Sequence, residues 1–183
     1  MQLKNKCKTI SFYSFLGIIV LGTLFHFAFS YSNYSTLIGA FTPVNESIWE
    51  HLKLLLFPTI LFSIVEYFIY GKKTTGFITS KVISLLIGMT FIISAYYTIK
   101  GATGIESFIL DIIIFIISAG ITSYLTCFLI NSKVISFNDT KTIISLLILA
   151  AIIIIFVYFT FDPPQIELFR DPISEDFGIQ YDI

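Results

Sequence analysis

Four ionisable side chains sit where an apolar chain has least reason to keep them: His26, Glu50, His51 and Asp111. Imidazole and carboxylate groups are the donors of zinc and manganese sites, the stations of proton relays and the partners in general acid–base chemistry. The chain has only 2 histidines in 183 residues, so an imidazole-rich metal centre must use both. The candidate metal ligands are therefore His26, His51 and one carboxylate, Glu50 or Asp111, converging from separate helices on a divalent ion such as zinc. The candidate catalytic groups are Glu50, His51 and Asp111. Adjacent helical positions diverge by about 100°, which keeps Glu50 and His51 from sharing one ion with ease. The H-E-x-x-H spacing of zinc helices is absent. The plainer alternative is that these polar groups hydrogen-bond to one another and do no chemistry.

The elements that would carry them are membrane spans. With 56% hydrophobic and 13% charged residues, the chain lacks the charged surface of a soluble domain its size. A span needs about 20 mostly apolar residues, and five stretches qualify: residues 10–31, 48–70, 82–99, 108–130 and 143–161. The expected fold is an all-α polytopic membrane bundle over residues 1–161, followed by a short extracytoplasmic tail, 162–183. Lys53 and Glu66 interrupt the second span, and Pro58 removes the hydrogen bond to the Leu54 carbonyl and predicts a kink. Lys4, Lys6, Lys8, Lys72, Lys73, Lys81, Lys133 and Lys141 fall on one side of these spans, against Lys100 and Arg170 on the other. That asymmetry predicts an inside amino terminus and an outside carboxyl terminus. The opening resembles a signal peptide, but its apolar stretch is too long for one and reads as an uncleaved first span. Cys7 and Cys127 then lie at the inner face, where they are expected to stay reduced. Neither a basic patch nor a phosphate-binding glycine loop is present. The expected partners are the lipid bilayer and a membrane protein or second copy of the chain, and no nucleic acid.

This topology collects His26, Glu50, His51 and Asp111 in one outer slab, roughly 7–9 Å below the helix ends if the fourth helix starts near Glu106. Such residues are costly in lipid and face a bundle interior or a cavity. In N-E-S-I-W-E-H-L-K, residues 45–53, Asn45 reads as the N-cap and Glu46 as a first-turn carboxylate on the positive helix end. Trp49 reads as an interfacial anchor. Lys53 is expected to reach outward to water, pairing with Glu50 and lying over Trp49. Glu66 is expected to pair with Lys72 or Lys73 at the inner face. The tail, D-P-P-Q-I-E-L-F-R-D-P from Asp162, is too apolar to float and is expected to fold back over the outer face.

The N-E-S-x-W-E-H-L-K motif and the D-P-P-x-x-x-L-F-x-D-P tail resemble a family of small bacterial integral membrane proteins catalogued as a domain of unknown function. The resemblance implies a bacterial cytoplasmic membrane and supplies no activity or catalytic residue. Three functions remain open. A structural or accessory membrane subunit needs only the spans and paired polar groups, and leads. A metal-dependent hydrolase or transferase would use His26 and His51 with Glu50 or Asp111. A small ion- or proton-coupled carrier would use Glu50, Asp111 and Glu66.

Overall fold

The structure, a computed structural model, describes residues 2–105, 107–132 and 134–179, with side chains from residue 6 onward. Glu106, Lys133 and the side chain of Lys4, all used in the topology argument, lie outside the described residues. The described residues are mostly helical: α1 (Gln2–Tyr31), α2 (Thr36–Gly39), α3 (Ile48–His51), α4 (Lys53–Ile69), α5 (Phe77–Thr103), α6 (Phe108–Ser132) and α7 (Asp139–Phe161). Among the described residues, five helices are long and apolar enough to cross a membrane, with α3 and α4 together forming the second. All five expected spans are therefore helices. The described residues hold no strand, only one antiparallel bridge between Arg170 and Phe177 in the tail.

Local chemistry sets the boundaries. The Ser47 hydroxyl accepts from the Glu50 N–H and caps α3, while the Asn138 side chain accepts from the Lys141 N–H and caps α7. Gly104, at φ +68°, closes α5 by donating its N–H to the Lys100 carbonyl, a left-handed step open to glycine. Helix α1 packs against α4 and α6, α6 against α5, and α5 against α7. The core is made of Ile18, Leu52, Leu55, Leu56, Leu85, Met89 and Phe156. Where α5 meets α6, Ser84, Gly88, Ser118 and Thr122 let the backbones approach, and the Ser118 hydroxyl donates to the Gly88 carbonyl (2.8 Å).

Helix α4 runs through Pro58. The Leu54 carbonyl that proline deprives of its donor lies against α1 at Gly22. A Cβ there would stand 2.8 Å from that oxygen and 2.7 Å from the Phe115 ring. Gly22 is thus one of the residues that let the proline-bearing helix dock.

Two expectations fail at the end of the bundle where α1 begins. Cys7 and Cys127 are joined in a disulfide. Their separation of 120 residues hid the fact that the start of α1 meets the end of α6. Glu66 pairs with Lys81 at 2.8 Å, and neither Lys72 nor Lys73 is its partner. Helix α5 begins at Phe77, so Lys81 lies inside it, facing α4, and is not a loop residue. The Tyr70 hydroxyl donates to Glu66 Oε2 (2.7 Å).

Gly22→Ala should destabilise the protein by about 1–3 kcal/mol through this clash. Gly101→Ala, where a Cβ meets nothing within 4 Å, should cost nothing. Thermal unfolding in detergent compares them, and equal midpoints would show that α1 and α4 are not closely seated at Gly22.

Candidate functional site

At the opposite end, the side chain of Lys53 is 0% exposed. Its ammonium donates to Glu50 Oε2 (2.6 Å), Thr160 Oγ1 (2.6 Å), the Gly39 carbonyl (2.9 Å) and the Thr42 carbonyl (3.2 Å). Three N–H donors serve four acceptors, so one proton is shared. Glu50 Oε2 also accepts from the Val44 N–H (3.0 Å), and the Thr160 hydroxyl donates to the Phe156 carbonyl (2.9 Å). The network ties α2, the loop after it, α3 and α7 to one cation. The expectation that Lys53 reaches water is therefore wrong. Carbonyls at the end of α2 and in the following loop cover the lysine on the side where water was expected.

The same loop delivers a carboxylate. Asn45 Oδ1 accepts from the Ser47 N–H (3.0 Å), and Ser47 is the cap, so the helix starts two residues later than Asn45 would place it. Glu46 therefore lies outside the helix and turns toward two imidazoles. Its Oε2 is 3.3 Å from His51 Nε2 and 4.0 Å from His26 Nε2. The histidine rings stand edge to face, 5.2 Å between centroids. One donor atom from each of His26, Glu46 and His51 falls within 4.8 Å of the others. A protonated His51 beside it holds the Glu46 carboxyl below its ordinary pKa, with partial burial opposing.

His51 Nδ1 lies 3.0 Å from the Ser47 carbonyl, which can only accept. Nδ1 therefore carries a proton, and Nε2 is the atom aimed at the carboxylate. A neutral imidazole would there face one lone pair with another. A second proton on His51, or a metal cation between the two groups, removes that conflict. The three side chains are 18%, 39% and 24% exposed for His26, Glu46 and His51, so either cation has access.

The structure thus brings two of the four candidate ligands together. Asp111, in the first turn of α6, is close enough for its charge to act on His51, but it is not one of the clustered three. Glu50 points to Lys53, as the divergence from His51 on the helix requires. Glu46 was missed as a ligand. The signal was present, because Ser47 and Glu50 form an S-x-x-E start signature that leaves Glu46 upstream of the helix.

The tail folds back beside these groups. Asn45 Nδ2 donates to the Gly178 carbonyl (3.0 Å), and the Ile179 N–H donates to the Thr160 carbonyl (2.9 Å). Trp49 stacks on Phe156 (4.1 Å) and packs against Phe169 of the tail (4.6 Å). It makes aromatic contacts in place of the expected one with Lys53.

Lys53→Met strands Glu50 without its cation and should cost about 3–5 kcal/mol, with much of the loss recovered in Lys53→Met/Glu50→Gln. Exposed Lys73→Gln supplies the baseline in the same detergent melt. A Lys53→Met loss no larger than that baseline would rule out the network as the organiser of this end.

No curated protein and no solved structure matches the chain. One family does, described as a family of unknown function, DUF6512, over residues 1–179. The match takes in both helical ends of the bundle, the histidine–carboxylate cluster and the docked tail. The chain belongs to the DUF6512 family.

Proposed function

We propose that this is a multi-pass protein of the bacterial cytoplasmic membrane, amino terminus inside and carboxyl terminus outside, with a divalent-metal centre at His26, Glu46 and His51. There it would catalyse hydrolysis or group transfer on a substrate reaching the outer face. One observation carries the metal reading, the convergence within 4.8 Å of a donor atom from His26 on α1 with two from the 46–51 segment. Two imidazoles and a carboxylate are a zinc donor set, and three protein ligands leave a fourth position open. Tetrahedral bonds of about 2.0–2.1 Å put donor atoms about 3.3–3.4 Å apart. The His51–Glu46 separation of 3.3 Å already fits, and His26, at 4.0 Å from Glu46, needs a small inward shift. The hydrogen bond from His51 Nδ1 to the Ser47 carbonyl orients the ring as a second shell would. His26, Glu46 and His51 would hold the zinc, which would supply water activation near neutral pH. Asp111 is the neighbouring carboxylate, close enough for its charge to act on His51.

The accessory-subunit reading keeps one supporting observation. Glu50–Lys53 and Glu66–Lys81 are buried pairs with their hydrogen bonds made, which a purely structural role explains. The carrier reading has less support, since each of its stations at Glu50 and Glu66 is held by a lysine.

Purified protein exposed to zinc should retain about one ion per chain. His26→Ala and His51→Ala should lose it, Glu46→Gln should weaken it by at least tenfold, and Glu50→Gln should keep it. Affinity should fall as the pH drops, because imidazoles bind metal only when neutral. Wild type and His51→Ala binding equal amounts would sink the metal centre.

The orientation rests on the lysine asymmetry, against which stands the disulfide at the inner end, a bond rare in the reducing cytoplasm. Lys73→Cys should be labelled by a membrane-impermeant thiol reagent only after the cells are opened, and Arg170→Cys in intact cells. The native cysteines, buried and disulfide-bonded, give little background. Labelling of both positions from the same side refutes the topology.

A further inference from the structure

Between α4, α5 and α7, at the end opposite the histidines, lies a half-open cavity of about 330 Å³. That volume is within the range of small-molecule sites. Its walls are Ile60, Ile64 and Phe68 from α4, Val82 and Leu85 from α5, and Leu146 from α7. From Thr59 to Phe68, both on its lining, the cavity follows α4 for roughly 14 Å, the length of a chain and not of a compact solute. Helix α7 is mostly exposed, so the open side faces whatever surrounds the bundle.

The charges at the rim are unbalanced. Lys81 lines the cavity but is neutralised by Glu66 (2.8 Å). Lys72 and Lys73, on the short turn Gly71–Lys73 that follows α4, are exposed and have no carboxylate partner among the described residues. The Lys72 ammonium lies 4.3 Å over the ring of Phe68, which is itself a wall of the cavity. An apolar slot thus ends beside Lys72, with Lys73 next to it on the same turn and no carboxylate partner for either among the described residues. We propose that it holds one acyl chain of an anionic phospholipid, whose phosphate is bound by Lys72 and Lys73. Basic residues at the cytoplasmic rim between membrane helices recognise such headgroups, while the slot takes the chain. This site is independent of the metal centre at the other end.

The full-length protein in detergent is titrated with phosphatidylglycerol and phosphatidylcholine carrying the same oleoyl chains, and separately with inorganic phosphate. Native mass spectrometry reads the bound fraction. Phosphatidylglycerol should bind about thirtyfold more tightly than phosphatidylcholine. Lys72→Gln/Lys73→Gln should bring it down to the phosphatidylcholine level. Leu146→Trp, which starts from an exposed side chain and fills the slot, should weaken both lipids. All three residues are exposed, so folding is not at stake. Equal binding of the two lipids overturns the proposal, as does a phosphatidylglycerol preference that survives the double substitution. Displacement by inorganic phosphate at the same concentration would show that the chain contributes nothing, and would overturn it too.

Discussion

A lysine ammonium buried in an apolar bundle must be given acceptors, and satisfying Lys53 shapes the end of the molecule that carries the cluster. Its four partners come from α2, the loop beyond it, α3 and α7. Holding the carbonyls of Gly39 and Thr42 over the lysine draws the loop inward, and the Val44 N–H then meets Glu50. That conformation puts Ser47 in place as a cap and leaves Glu46 turned toward the histidines. Desolvation is costly enough that none of these contacts is optional once the lysine is inside. The cluster therefore depends on an ion pair in which none of its members takes part.

The two ends of the bundle handle buried charge differently. At the histidine end, the Glu50–Lys53 pair is closed off by backbone carbonyls, and beside it stands a partly open group of three donors with no lysine among them. At the other end, Glu66, Lys81 and the Tyr70 hydroxyl form a closed set next to the disulfide. Among the described residues, the one cluster of donors able to accept a metal cation is at the first. Its Nε2 and carboxylate oxygen, facing one another at 3.3 Å, need something positive between them. Whether a proton or a metal fills that role decides between a pH-dependent strut and a catalytic centre, and the zinc titration separates the two.

Much of this was legible in the amino-acid order. Long apolar blocks announce helices, and the diverging directions of Glu50 and His51 follow from helix geometry alone. The depth match of His26 with His51 follows from counting residues down two spans. The failures share one cause. Lys53, Glu66 and Cys7 find their settings through partners that are remote in sequence: Thr160, Lys81 and Cys127. A cap misjudged by two residues, Asn45 for Ser47, was enough to assign Glu46 to the helix dipole and miss it as a ligand. Caps of that kind are decided by which carbonyls and N–H groups the tertiary structure occupies, and a periodicity count does not see them.

The route from Lys53 to Thr160 also has a duration. The ribosome makes the lysine 107 residues before the hydroxyl that completes its set. At about 5–20 residues per second, that is a wait of roughly 5–20 s. During it, α3 and α4 must stay in place with only the acceptors made earlier, at Gly39, Thr42 and Glu50. Those three lie within 14 residues of the lysine, all on its amino-terminal side, so they leave the ribosome first. A chain laid down in this order meets its most expensive cation with shelter already built, and the last helix arrives to close the lid.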